Sequence, residues 1–150
     1  MTFQSGKGVS STGGGNVMLF PYSRVSEVGT WVIVQDANQV FNGYRHNTSA
    51  AQNDSQTFTV DLRKGTYRFD LFCITTSNRG ICHVLIDGMD KGQMDTYTSG
   101  QVNNAHVTLS SVALATDGSK TIELKVASKN GSSAGYRLSY MYCSIMRTGD

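Results

Sequence analysis

Gly65-Thr66-Tyr67-Arg68-Phe69-Asp70-Leu71-Phe72-Cys73, followed by Arg79-Gly80-Ile81-Cys82-His83-Val84-Leu85-Ile86-Asp87-Gly88, decides the fold class of this chain. Apolar side chains fall on every second residue, the period of a strand with one face buried. Glycine bounds both runs, and no helical pattern separates them. The same grammar extends in both directions. Thr30-Trp31-Val32-Ile33-Val34 reads as a first long strand, and Phe58, Val60 and Leu62 share one face of the next. Beyond the two central runs, Val107 and Leu109, then Val112 and Leu114, then Ile122, Leu124 and Val126 continue the alternation. The last strand runs from about Gly135 to Met146, with Tyr136, Leu138, Tyr140 and Tyr142 in register. Turn signals at Arg63-Lys64-Gly65, Asp87-Gly88, Lys91-Gly92, Asp117-Gly118 and Asn130-Gly131 separate the strands. Roughly eight to ten short strands joined by such turns imply a sandwich or barrel. The expected architecture is an all-β jelly-roll β-sandwich over residues 17–150, with an immunoglobulin-like sandwich as the second choice. A flexible Gly-rich arm over residues 1–16 precedes it, because Ser5 to Asn16 holds nothing to pack.

Composition narrows the partners. A chain of 150 residues is long enough for one two-layer core. With 16% charged residues and a formal net charge of +2, its basic side chains (Arg24, Arg45, Lys64, Arg79, Lys91, Lys129) are scattered and form no stripe. Nucleic acid is therefore not an expected partner. No apolar run is long enough for a transmembrane helix, so membrane insertion is not expected either. The N-terminus lacks the basic start and apolar core of a secretory signal, so the expected product works where it is made, leaves the cell by lysis, or has had its start trimmed away. Three cysteines leave at least one thiol unpaired. Cys73 and Cys82 end and begin neighbouring strands. They would face each other in a hairpin and be separated by a crossover between sheets; buried free thiols are the preferred reading.

No catalytic constellation interrupts this pattern. His46, His83 and His106 share no metal-ligand spacing, and His83 alternates out of the apolar face of its strand. There is no Gly-x-Ser-x-Gly elbow, and the Gly13-Gly14-Gly15 run precedes no helix. Asp87, Asp90 and Asp95 sit where acidic residues cap turn amides. They and the Asp36, Asn38, Asn42 set offer hard oxygens, but neither has the dense spacing of a calcium loop. The expected catalytic residues, metal ligands and cofactors are none. Two segments combine tyrosine with planar polar groups: Asn42-Gly43-Tyr44-Arg45-His46-Asn47, and Asp95-Thr96-Tyr97-Thr98 near Gln101 and Asn103-Asn104. Aromatic faces with amide, guanidinium and imidazole groups at their rim suit a glycan. Tyr44, Arg45, His46, Asn47 and Tyr97 are thus the candidate glycan-binding residues, set against their ordinary use as half-buried strand residues. Trp31 is expected in the core or at a subunit interface.

Two resemblances follow from these residues. Gly65-Thr66-Tyr67, Ile86-Asp87-Gly88 and the strand Gly118-Ser119-Lys120-Thr121-Ile122-Glu123-Leu124-Lys125-Val126 resemble the strand signatures of jelly-roll carbohydrate-binding modules. Glu27-Val28-Gly29-Thr30-Trp31-Val32, Asn78-Arg79-Gly80-Ile81, Lys129-Asn130-Gly131-Ser132-Ser133-Ala134-Gly135-Tyr136 and Met146-Arg147-Thr148 resemble short jelly-roll domains of tailed-bacteriophage virion proteins. The second resemblance implies a non-enzymatic structural protein of the virion: a capsid decoration protein, head fibre or tail-fibre tip. Made in the host cytoplasm and released by lysis, it would be held to other virion proteins by its N-terminal arm, form a homotrimer, and be able to touch host-surface glycans. The first implies, as the alternative, a free carbohydrate-binding module. The aromatic pair typical of a sugar platform is not evident in the sequence.

Overall fold

The computed structural model describes residues 9–10 and 16–150. It comprises β1 (Val9–Ser10), β2 (Val17–Leu19), a 3-10 turn (Pro21–Ser23), β3 (Ser26–Val28), β4 (Trp31–Gln35), β5 (Gly43–Asn47), β6 (Ser55–Leu62), β7 (Gly65–Thr75), β8 (Ile81–Ile86), β9 (Met89–Asp95), β10 (Val102–Leu114), β11 (Gly118–Ser128) and β12 (Ser139–Gly149). They form two six-stranded sheets. The first has the order β1-β6-β11-β8-β9, with β3 also on β6; the second has β10-β7-β12-β5-β4, with β2 also on β12. This is a jelly-roll sandwich. Most of the expected arm lies outside the described residues, but within it Val9–Ser10 pairs parallel with Val60 and Asp61 of β6.

The alternation read from sequence is what fills the core. Phe58, Val60, Val84, Ile122 and Leu124 from one sheet meet Phe69, Leu71, Cys143 and Ile145 from the other, each at most 2% exposed. The β7 and β8 strands belong to different sheets, so the short connection between them is a crossover rather than a hairpin. Cys73 and Cys82 therefore reach the core from opposite layers, and they and Cys143 are free and buried. Burial pushes the Cys73 thiol up to about 12, which keeps it protonated and unreactive at neutral pH.

Two bulges change the phase of the alternation. In β10 the register slips between Leu109 and Val112, where Ser111 takes a φ of 60°. Odd-numbered Val107 and Leu109 and even-numbered Val112 and Leu114 thus belong to one continuous strand. In β12 a slip between Tyr140 and Tyr142 puts Tyr140 in the core while Tyr142 lies opposite Phe72. The sequence reading placed those two tyrosines on one face; the bulge separates them. The region of Asp87, Asp90 and Asp95, read as turn, contains the edge strand β9. It folds back from Asp87 and Gly88, whose φ values of 51° and 80° fit a tight hairpin turn.

A buried polar chain ties the two layers together at one side. The Tyr140 hydroxyl donates to Gln56 Oε1, and Gln56 Nε2 donates to Glu27 Oε2 at 2.8 Å. Glu27 also accepts from Arg24, and from Arg45 Nη2 at 3.1 Å. Burial alone would raise the Glu27 pKa, but hydrogen bonds from Gln56 and Arg24 and the nearby arginine charges leave it below its usual value. Next to it, Gly29 has a φ of 87°, and a Cβ there would lie 2.3 Å from Asp54 Oδ1. The Asp54 carboxylate is itself held by Asn47 Nδ2 (2.7 Å), Ser49 Oγ (2.6 Å) and Ala51 N (3.0 Å).

Gly29→Ala is expected to destabilise the fold by about 2–3 kcal/mol, combining left-handed strain with the clash, as read by urea denaturation. A carboxylate whose folded pKa is depressed contributes stability above its unfolded pKa, and that contribution is lost as pH falls through the folded value. Stability is therefore expected to fall on acidification below about pH 4.5, and Glu27→Gln to flatten that part of the profile. An unchanged slope in Glu27→Gln would remove Glu27 from the account.

Candidate functional site

The outer face of the second sheet carries aromatic rings where a solvated face would carry polar ones. His106, Phe72 and Tyr142 occupy facing positions on the adjacent strands β10, β7 and β12. His106 stacks on Phe72 with centroids 4.5 Å apart, and Phe72 on Tyr142 at 4.3 Å. The buried Asp70 carboxylate fixes the histidine, its Oδ1 lying 3.1 Å from His106 Nε2. Asp70 also accepts from Thr108 Oγ1 (2.7 Å) and Arg68 Nε (2.9 Å). Burial opposes its ionisation, but these hydrogen bonds outweigh it and hold the Asp70 pKa below the usual aspartate value. From Tyr142 the rings continue to Phe20 at 5.6 Å and Phe41 at 5.5 Å, and Phe20 stacks on Tyr22 at 5.3 Å.

This aromatic row runs into a groove of about 880 Å³. One wall comes from the segment after β2 (Phe20, Pro21, Tyr22), the other from β4, β5 and their connecting loop (Ile33, Phe41, Tyr44), with Met141 also lining it. Gln35, Asp36, Asn42 and Arg45 add polar groups. Tyr22 and Phe41 are 60% and 54% exposed, so both offer ring surface to a ligand. Phe41 is carried by a fixed loop. The Asp36 carboxylate accepts from Asn38 N (2.9 Å) and Gln39 Nε2 (3.2 Å), and the distant Asn104 clamps the loop from β10. Asn104 Oδ1 accepts from Val40 N at 2.8 Å, and its Nδ2 donates to Asn38 O at 3.0 Å. Hydrogen bonds from Asn38 and Gln39 hold the Asp36 pKa below the usual aspartate value.

The candidate glycan residues scatter. Tyr44 lines the groove, and its ring centroid lies 5.5 Å from that of His46, two residues along the same strand. Arg45 borders the groove, but its guanidinium is engaged with Glu27 and Trp31 O. Asn47 is fully buried: Nδ2 donates to Asp54 and Tyr136 O, and Oδ1 accepts from Leu138 N. It holds β5 to the start of β12 and presents nothing to solvent. Tyr97 lies on a separate segment bridged to Thr76, away from the groove lining. Trp31 is in the core, packed edge-on against Tyr140.

Asp87, Asp90 and Asp95 each serve a separate local contact, whereas Asp36 and Asn38 are bonded to each other within the β4–β5 loop. Asp87 Oδ1 accepts from Thr121 N, Asp90 meets His83 and Gly92 N, and Asp95 meets Tyr97 N and Asn130. Among the described residues no three His, Cys, Asp or Glu side chains converge as metal ligands. One constellation escaped the sequence reading. His83 Nε2 lies 2.8 Å from Ser128 Oγ and His83 Nδ1 lies 2.7 Å from Asp90 Oδ2, the connectivity of a hydrolytic relay. It stands on the outer face of the first sheet, on the opposite layer from the groove. A relay becomes a catalyst only with oxyanion donors and a bound carbonyl in reach, so the connectivity alone assigns no reaction.

No protein-family model and no curated protein match the sequence. Solved structures do. A Paenibacillus xanthan lyase superposes with a TM-score of 0.71 at 25% identity over 87% of this chain, which spans 13% of that enzyme. The CBM36-1 domain of a multidomain xylanase from the hindgut metagenome of Trinervitermes trinervoides gives 0.64 at 23% identity, covering 91% of this chain and all of that one. A family 6 carbohydrate-binding module from Clostridium cellulolyticum, in complex with xylose, gives 0.63 at 12% identity over 89% of this chain and 96% of its own. The fold is that of the jelly-roll carbohydrate-binding modules.

Sequence reasoning missed Phe20, Tyr22, Phe41, Phe72 and Tyr142 as a group, because they come from separate segments. One signal was available: Phe72 interrupts the polar half of a strand whose apolar face is Tyr67, Phe69, Leu71 and Cys73. Asn104→Ala should release the β4–β5 loop. It is expected to raise amide exchange at 38–41 at least tenfold while the β6 and β11 amides stay protected, read by hydrogen-exchange mass spectrometry.

Proposed function

We propose that this chain is a non-catalytic carbohydrate-binding module whose ligand lies in the groove between Tyr22, Phe41 and Tyr44. One observation carries the reading: an open groove lined by aromatic rings that are held in place by stacked neighbours and a clamped loop. A pyranose places its axial C–H groups against an aromatic face, and its equatorial hydroxyls reach planar polar groups at the rim. Tyr22 and Phe41 supply exposed ring surface, while Gln35, Asp36 and Asn42 supply the amide and carboxylate rim. Because the rings are ordered before the ligand arrives, little side-chain entropy is lost on binding. The neighbours point to the polysaccharides to try first, since one is part of a xylanase and another holds xylose. Neither a virion role nor a trimer draws support from these neighbours, which favour the carbohydrate-binding alternative.

The test is retention of the full chain on a panel of insoluble polysaccharides headed by xylan, followed by calorimetry with the retained ligand. Tyr22→Ala and Phe41→Ala are each expected to weaken binding about tenfold, the loss of one stacked hot-spot ring. Both side chains are exposed, so the melting temperature should barely move. No retention on any polysaccharide, or wild-type affinity in both variants, would remove the groove as a sugar site.

A further inference from the structure

Two arginines lie together without an acid at the end of the sandwich. Arg79, in the crossover from β7 to β8, and Arg137, just before β12, face each other across a parallel backbone bridge. Arg137 N donates to Asn78 O at 3.2 Å and Gly80 N donates to Arg137 O at 2.9 Å, so the two backbones are locked. Arg79 is 6% exposed and donates only to neutral acceptors, Ile74 O and Asn78 Oδ1. Arg137 Nε is buried with no hydrogen-bond partner, and so is Nδ1 of His46. Among the described residues neither arginine forms an ion pair.

The charges feel one another. Burial first, and the Arg137 charge second, bring the Arg79 pKa down to about 10. Burial and then both arginines lower that of His46, favouring the neutral imidazole. Buried donors left unpaired are costly, and an uncompensated cationic pair in a partly dry site more so. A carboxylate answers both arginines at once, because its two oxygens match the fork of a guanidinium, and it also accepts from His46 in the tautomer that carries its proton on Nδ1. Tyr44 joins this cluster to the groove, since it lines the groove, packs beside His46 and lies within electrostatic reach of Arg79.

We propose that Arg79, Arg137 and His46 form an anion subsite at the end of the groove and that the polysaccharide bound there carries a uronic-acid carboxylate. This rests on the groove being the sugar site. Arg137 is the residue to change, because among the described residues it makes no side-chain hydrogen bond whose loss would unsettle the fold. The probes are a glucuronate-substituted xylan and the same polymer with its carboxyls reduced to alcohols, titrated into the full chain at low and high salt. The acidic polymer is expected to bind about tenfold tighter, equivalent to about 1.4 kcal/mol, with the preference shrinking in salt. Arg137→Met should abolish the preference and leave the reduced polymer's affinity unchanged. Free glucuronate should displace the acidic polymer from the unmodified protein, a readout that needs no variant. Equal affinity for the two polymers, or a preference that survives in Arg137→Met, overturns this proposal alone; binding of neither polymer overturns the groove reading with it.

Discussion

Glu27 is the point on which the geometry of the second sheet's edge depends. Its carboxylate sits on β3, a strand of the first sheet, and is gripped by Arg45 from β5 of the second. Behind it, Gln56 and Tyr140 extend the same polar chain through the core. Hydrophobic packing between two sheets is tolerant of sliding; a charged hydrogen bond is directional and is not. The chain therefore sets where β5 lies relative to the first sheet, and β5 carries Tyr44 and His46. The groove's position is inherited from an ion pair that never touches it with its acidic member.

Residue patterns told the core positions well and the surface poorly, for the same reason. Alternation marks burial, so Phe58, Val60, Phe69, Leu71, Val84 and Leu124 were legible. Edge strands bury little and lose that mark. In β9 only Met94 reaches the core, which is why Met89-Asp90-Lys91-Gly92-Gln93-Met94-Asp95 reads as loop. In β5 the inward positions hold Arg45 and Asn47, whose partners are a carboxylate and amides rather than apolar side chains. Asn47 looked like a sugar contact because its amide chemistry is the same whether it faces a hydroxyl or a backbone carbonyl. Tyr44 and His46 were legible as neighbours, being two residues apart. The aromatic row was not, since Phe20, Phe41, Phe72 and Tyr142 meet only through the pairing of strands distant in sequence.

The two layers also divide the chemistry. The outer face of the first sheet holds the Ser128–His83–Asp90 chain of hydrogen bonds, while the groove and the arginine pair belong to the side that β4 and β5 build. A sandwich gives each face its own surroundings, and the groove gives the side of β4 and β5 a concave wall that can enclose a ligand. The proposed sugar site rests on that enclosure and on ring geometry, and the reactive side chains of the other face play no part in it.

The bulge in β12 has a broader meaning for how such a surface is written into a gene. One additional residue between Tyr140 and Tyr142 inverts the parity of the strand, so identical side chains two codons apart serve opposite environments. One tyrosine is interior scaffolding and the other is external paving. A shift of a single position would exchange Tyr142 with Cys143 and bring a thiol into the aromatic row. The outer surface of this sheet is thus encoded by spacing as much as by residue type, and an indel there rewrites it more thoroughly than a substitution does.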